Sequence, residues 1–204
     1  MNSEPIEFYF DFTSPYGYLM SERIDELAAR CGRKVKWRPI LLGVVFKATG
    51  AQPLAQVPLK GEYSKRDFAR SARFLGIPYA APAAFPIATQ NTARAWYWLH
   101  DSDCAMARRF AHAAFRAYFT EGRDINDIPT VLDLAEKVGA GDTVIGELEA
   151  ALASPEIKDR LRREVDAALA KGVCGSPYVI IDGEPFLGVD RLPQIEKWLA
   201  DSGF

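Results

Sequence analysis

The stretch Ile6-Glu7-Phe8-Tyr9-Phe10-Asp11-Phe12-Thr13-Ser14-Pro15-Tyr16 decides the fold. Its first six residues are a short apolar and aromatic run, the texture of a buried strand. The run breaks at Thr13-Ser14-Pro15, where a serine able to cap stands before a proline suited to a first helical position. Beyond it Leu19, Ile24 and Leu27 recur at helical spacing, which predicts a helix over Tyr18–Arg30 closed by Cys31-Gly32. Val35–Ile40 has period-two character and is predicted to be a second strand. Strand, helix and strand in that order imply a right-handed crossover between parallel strands.

Outward from this unit the texture changes. From about Leu42 to Leu169 strand signals vanish and alanine rises. Amphipathic helices are predicted over 63–75, 89–100, 102–120, 130–138, 143–152 and 155–171, and the proline-rich piece Pro78–Pro86 is predicted to be a rigid irregular connection. Strand texture returns at Tyr178–Ile181. Asp182-Gly183 is a two-residue hairpin signal, Pro185–Leu187 a further strand, and Arg191–Ala200 a last helix. A strand–helix–strand unit and a strand–strand–helix unit thus flank a helical middle. That is an α/β thioredoxin fold with a large all-helical insertion. The expected domains are a discontinuous thioredoxin-like one, 1–42 with 172–204, and a helical insertion with its connecting helix, 43–171.

The 204 residues are 49% hydrophobic and 25% charged, enough apolar material for a core without help from metal or disulfide. A net charge of −2 supplies no field for nucleic acid or anionic lipid. Arg160, Arg162 and Arg163 interleave with Asp159 and Glu164, which reads as a solvated helix face. No secretory leader and no run of membrane-spanning length is expected. Three separated cysteines and two histidines build no CxxC pair and no Cys/His metal site, so a cytoplasmic, reducing location is expected.

Ligands of open α/β sheets bind beyond the carboxyl ends of the strands, beside helix N-termini. That place holds Ser14. Redox thioredoxin-fold proteins carry a cysteine there, whose pKa the helix lowers. This chain offers Ser14, and Gly17 at the second CxxC position, so disulfide chemistry is excluded at this turn. Ser14 can cap the helix, or donate its hydroxyl hydrogen to a thiolate brought by a cofactor. Two further turns bear on the choice. Ser176-Pro177 enters the strand Tyr178–Ile181; thioredoxin folds place a cis-proline there, whose preceding residue pairs its backbone with a bound cysteinyl group, while on the residues alone a trans turn stays open. Val189-Asp190 opens the last helix; Asp190 is a good N-cap, and the same turn could receive the carboxylate and ammonium of an amino-acid-like ligand.

FYFDFTSPYGYL, the GSPYVIIDGEPFLGVDRL block, Pro39–Gly43 and Phe85-Pro86-Ile87, with the helical middle, together resemble the 2-hydroxychromene-2-carboxylate isomerases. These stand with the kappa-class glutathione transferases and, further off, the DsbA-like oxidoreductases. The resemblance covers nearly the whole chain. It implies glutathione as cofactor, with Ser14 facing its sulfur. Ser176, before a cis-Pro177, would bind its cysteinyl backbone, Val189 and Asp190 its γ-glutamyl end, and Lys60 would lie near it, although Lys60 by itself reads as a surface lysine. Three positions depart from the family pattern. Ala51 replaces an asparagine that contacts glutathione, Leu187 replaces an aromatic residue, and Cys174 replaces phenylalanine and is expected to be a small buried hydrophobe.

The activity implied is a glutathione-dependent cis–trans isomerisation of an aromatic hydroxy-acid or chromene. A kappa-like transferase or peroxidase and a non-redox DsbA-like binding module are the alternatives. Phe12, Tyr16, Phe46, Phe85 and Trp96 are candidates to line a pocket for a small aromatic substrate, each also suited to core packing. Arg94 or Arg73 could meet its carboxylate. No nucleic-acid or membrane partner is expected, and a homodimer is implied by the resemblance alone.

Overall fold

The computed structural model describes residues 4–201 and 203–204. Ile6–Phe10 forms β1 because its alternate aromatic residues can be buried on both faces: Ile6, Phe8 and Phe10 are fully buried and Tyr9 nearly so. It lies inside a four-stranded sheet of order β2-β1-β3-β4, where β2 is Val35–Pro39, β3 Tyr178–Ile181 and β4 Glu184–Leu187. β2 runs parallel to β1, with Phe8 opposite Trp37, while β3 is antiparallel to β1, with Phe8 opposite Val179. Asp182 and Gly183 both take positive φ, 55° and 92°, as the two-residue turn between β3 and β4 requires. The predicted strand–helix–strand and strand–strand–helix units are therefore both present.

The first helix departs from expectation. In place of one helix over 18–30 there are two, α1 (Pro15–Ser21) and α2 (Ile24–Arg30). The break falls where side chains are drawn outward. Glu22 is held by His112 at 3.0 Å and Arg116 at 2.7 Å, and Arg23 reaches the Leu75 carbonyl. Ser21 Oγ also donates back to the Tyr18 carbonyl at 2.7 Å, a bond that competes with the regular ladder.

A second departure is a helix the periodicity did not announce, α3 (Leu42–Thr49). Its sequence, LGVVFKAT, mixes glycine with β-branched residues and has weak helix propensity. Leu41 offers no side-chain cap. The missing cap comes from the end of β1: Asp11 Oδ2 accepts the Leu42 N–H at 2.6 Å. A contact across 31 positions of sequence starts this helix.

The remaining helices are α4 (Lys60–Leu75), α5 (Gln90–Ser102), α6 (Cys104–Phe119), α7 (Ile128–Lys137), α8 (Asp142–Ala153), α9 (Pro155–Ala170) and α10 (Leu192–Asp201). They fall where helices were predicted, within a few residues at each end. α6 brings Phe115 against Phe10 and Phe12, with ring centroids 5.5 and 5.1 Å apart, so the sheet and the helical part share one aromatic core. The solvated face expected on α9 holds for Asp159, Arg162 and Arg163, which are exposed, with Arg162 pairing with Asp159. Arg160 and Glu164 are half-buried instead, Arg160 lying over the Tyr97 ring and Glu164 bonding Arg38 of β2 at 2.7 Å.

The Pro78–Pro86 connection has no regular structure, as predicted, yet it is pinned at intervals. Tyr18 Oη donates to the Pro78 carbonyl at 2.9 Å, Tyr118 Oη to the Ala84 carbonyl at 2.8 Å, and the Ile87 N–H to Thr13 Oγ1 at 3.1 Å. The last bond ties this connection to the turn before α1. Among the described residues no helix is long and apolar enough to cross a membrane.

Candidate active site

Ser14 is the N-cap of α1. Its Oγ accepts the Gly17 N–H at 3.0 Å and Pro15 occupies the first helical position, as the sequence predicts. The capping reading is therefore correct, and it leaves Oγ free to donate its single hydrogen. That hydrogen goes to the Ser176 carbonyl at 2.9 Å. Ser176–Pro177 is cis, so the ordinary trans form left open by the residues does not apply; a second cis bond, Phe85–Pro86, lies across the same opening. Ser176 Oγ in turn accepts the Asp11 N–H at 2.9 Å. Two bonds thus stitch the end of β1 and the start of α1 to the turn before β3.

Gly17 makes this contact sterically feasible. A Cβ there would stand 2.9 Å from Ser176 Oγ and 3.1 Å from Ser14 Cβ, tighter than side chains tolerate. The position that holds a second cysteine in redox relatives here has to be empty.

Beneath the turn sits Asp11, a fully buried carboxylate. Its Oδ1 accepts from the Thr13 N–H at 3.0 Å and from Thr89 Oγ1 at 2.7 Å, and its Oδ2 caps α3. Burial pushes its pKa up and the three hydrogen bonds pull it back, with a net rise above the ordinary carboxylate value. Asp11 fixes three elements around the site: the turn into α1, the start of α3 and the start of α5. Sequence reading passed over it as the last residue of a strand. The available signal was an acid at the end of an unbroken apolar run, which is rare without a buried set of donors.

A cavity of about 210 Å³ opens over Ser14. Its walls include Tyr16, Leu42, Phe46, Phe68, Phe85 and Leu187, and Ser14 and Ser176 lie at its polar end. Tyr16, Phe46 and Phe85 therefore line it as expected. Phe12 and Trp96 do not: Phe12 is fully buried against Phe115, and Trp96 lies on α5, buried and stacked on His100. Phe68 and Leu42 take part instead, because α3 and α4 close over the opening. A neighbouring cavity of about 330 Å³ shares Thr13, Leu42, Phe46, Pro53 and Pro86.

Tyr16 is held by a network that the sequence did not disclose. Its hydroxyl donates to Asp67 Oδ2 on α4, and Arg70 grips the other carboxylate oxygen and also donates to Tyr63 Oη at 3.0 Å. Burial and the Asp67 carboxylate raise the Tyr16 pKa well above its ordinary value, so the phenol stays protonated and the ring stays oriented.

The other expected site residues divide. Pro177 is buried behind Ser176, and Val189 is buried with Asp190 exposed beside it in a short 3-10 turn packed on α1. Asp190 carries a 70% exposed side chain paired with Arg191 at 3.1 Å, and its charge is felt at Tyr16. Lys60 is exposed at the start of α4 and is not part of the cavity wall. The turn before it is unusual: the Lys60 N–H donates to the Pro58 carbonyl at 2.7 Å around Leu59 at φ 64°, ψ −47°, a γ-turn of the strained hand. Arg73 is exposed on α4, and Arg94 bonds Asn91 Oδ1 at 3.2 Å; neither lines the cavity. Cys174 corrects an expectation. It is exposed, because Val173 takes the buried position of that turn. Ala51 lies exposed beyond α3, and Leu187, 47% exposed, leans over Gly175 at the rim. Among the described residues no three metal-ligating side chains converge.

A thioredoxin-fold sheet, a helical insertion closing over its first strand–helix turn, and a serine in place of the reactive cysteine define the class. Comparison with known proteins agrees. The DSBA-like thioredoxin domain matches residues 5–200. The chain is 30% identical to a 2-hydroxychromene-2-carboxylate isomerase of Sphingobium xenophagum, over 98% of this chain and 100% of that one. It is 26% identical to glutathione S-transferase kappa 1 of Rattus norvegicus, over 96% and 92%. A solved 2-hydroxychromene-2-carboxylate isomerase superposes with a TM-score of 0.86 at 27% identity, covering 98% of this chain and 96% of its own. The chain belongs to the DSBA-like thioredoxin-domain family, in the branch that holds the 2-hydroxychromene-2-carboxylate isomerases and the kappa-class glutathione transferases. Its relatives there are enzymes, isomerases and transferases alike.

Proposed function

We propose that this protein is a glutathione-dependent isomerase of aromatic compounds resembling 2-hydroxychromene-2-carboxylate. The observation that carries the reading is the pairing of a thiol-sized polar corner, Ser14 with the Ser176 carbonyl, and an aromatic-lined cavity directly above it. The residues fit such a cofactor. Ser176 has a backbone carbonyl at the rim for a cysteinyl group, and Asp190 offers a carboxylate to an ammonium where its charge already reaches Tyr16. Lys60 and Ala51 contribute nothing visible to this fit.

Bound there, the thiol supplies a nucleophile that adds reversibly to a conjugated double bond and so permits rotation about it. The chain's part is to hold the sulfur ionised, to position it and to exclude water. A Ser14 hydrogen bond to a thiolate is worth about 1.5–3 kcal/mol, or roughly one to two pKa units. Tyr16, Phe46, Phe68 and Phe85 bracket a flat substrate and keep the corner dry. With its hydroxyl hydrogen given to Asp67, Tyr16 Oη keeps only acceptor capacity, which would suit a substrate hydroxyl.

The test is to follow 2-hydroxychromene-2-carboxylate spectroscopically with and without glutathione, and chloronitrobenzene in parallel. Isomerisation that requires glutathione, and falls about 10- to 100-fold in Ser14→Ala, is expected. Conjugation of chloronitrobenzene without isomerisation would make the protein a transferase. No calorimetric binding at millimolar glutathione would remove both readings and leave a binding module.

A further inference from the structure

The net charge of −2 hides an uneven distribution. Between Gly43 and Ala93 the chain carries six cations, Lys47, Lys60, Lys65, Arg66, Arg70 and Arg73, against two acids, Glu62 and Asp67. All six cations are exposed, and they sit on α3 and α4, the helices that close over the cavity. Both acids are already engaged, Glu62 by Lys65 at 2.6 Å and Asp67 by Arg70 and Tyr16. Among the described residues Lys47, Lys60, Arg66 and Arg73 form no ion pair.

The same region exposes large apolar side chains. Val44, Leu54, Leu59, Tyr63 and Phe74 are five of the eight such residues on the described surface, and a sixth, Leu187, shares the cavity rim with Leu54. On α4 the arrangement is periodic. Gly61, Ser64, Phe68 and Ala72 are buried on its inward face, as an amphipathic helix requires. The outward face is not simply polar. Leu59, Tyr63, Arg70 and Phe74 follow at intervals of four, seven and four residues and make one stripe, bordered by Arg66 and Arg73. Leu59 is 92% and Phe74 88% exposed, so nothing of the fold stands beside them. Arg70 lies 5.4 Å over the Tyr63 ring. A contiguous apolar and basic face of this kind marks an interaction site.

We propose that this face docks on an anionic membrane surface. Leu59, Tyr63 and Phe74 enter the headgroup boundary, while Lys47, Lys60, Arg66 and Arg73 meet acidic headgroups. The protein lies on the bilayer without spanning it, since no described helix is long and apolar enough to cross. The cavity mouth then opens at the apolar boundary, where flat aromatic compounds collect from water. Two other occupants fit less well. A second copy of the chain would bring the face against itself about a two-fold axis, cation on cation. A folded acidic protein would need a preformed pocket for each of two side chains about 22 Å apart along α4, whereas a fluid interface yields to both. The proposal does not depend on glutathione binding.

Cosedimentation with sucrose-loaded vesicles tests it, one set of phosphatidylcholine alone and one with a third of phosphatidylglycerol. The protein is expected to pellet with the second set only, and to be released in about 1 M salt, where the Debye length shrinks to about 3 Å. Arg66→Gln with Arg73→Gln should lower the partition coefficient about 25-fold, a factor of about five for each charge. Leu59→Ser with Phe74→Ser should lower it about tenfold with circular dichroism unchanged. No pelleting, equal pelleting with the two sets, or native partitioning in either double variant would overturn the proposal. So would a dimer in lipid-free sedimentation that the arginine variant dissociates, which makes the face a self-interface. Binding to polyglutamate as tight as to the anionic vesicles, and unmoved by the serine variant, would assign the face to an acidic protein instead.

Discussion

At the scale of single residues the site rests on two that carry no chemistry themselves. Gly17 permits the Ser14–Ser176 contact, since a Cβ would press on both serines. Gly17→Ala should therefore fold, yet lower glutathione-dependent kcat/KM about tenfold, the equivalent of one displaced hydrogen bond. Steady-state kinetics beside a urea melt separates this from simple unfolding. Asp11 accepts three hydrogen bonds while fully buried. Asp11→Asn would turn an amide N–H₂ toward one of those donors, and should cost about 1–3 kcal/mol, seen as a lower denaturation midpoint at unchanged m-value. The sequence carried no signal for Gly17, and for Asp11 only that of an acid closing an apolar run. A glycine one turn into a helix and an acid after a strand acquire meaning only from what stands across from them.

Among the elements, the strands and the long helices were readable because each buries one face at a fixed period, and that period is local. The exceptions share one physical cause. α3 begins where a carboxylate from β1 caps it, and the helix predicted over 18–30 breaks where Glu22 and Arg23 are drawn to α6 and to the end of α4. In both cases a distant partner outweighed local propensity. The turn into α4 offers a test at this scale. Leu59 is 92% exposed and holds a positive φ that a branched side chain disfavours. Leu59→Gly should raise stability by about 1 kcal/mol, the excess of released strain over the entropy glycine loses, readable as a higher urea midpoint.

Over the whole molecule, two carboxylates bind the sheet side to the helical side. Burial raises the pKa of Glu22, but His112 and Arg116 outweigh it, and the net value is lowered. Glu7 is lowered likewise: burial opposes, while Lys171, Tyr9 and Arg38 prevail. Their stabilisation is full above about 4.5, the unfolded value, and is lost as pH falls through the lowered folded values. Asp11, raised by burial, acts in the opposite sense, stabilising least once it is ionised. The net expectation is a fall in stability below pH 4.5 that becomes shallower in Glu22→Gln, with a loss of about 1–2 kcal/mol at pH 7 in that variant. Denaturation midpoints across pH 3–7 would show whether the two curves converge at low pH. Saturating glutathione, at one hundred times its dissociation constant, should add about 2.7 kcal/mol at pH 7 and move the thermal midpoint upward.

What the sequence determined by itself was the order of elements, the aromatic core strand, the cap at Ser14 and the hairpin at Asp182-Gly183, all set by interactions within a few residues. It also determined, through Ser14 and Gly17 in place of cysteines, that this turn performs no disulfide exchange. The tertiary structure decided where the single hydrogen of Ser14 goes, which aromatic rings face the cavity and which the core, and that Cys174 faces solvent. The reason is distance along the chain. Ser14 and Ser176 are 162 positions apart, and no local pattern records which lone pair a hydroxyl meets when two such segments close on each other.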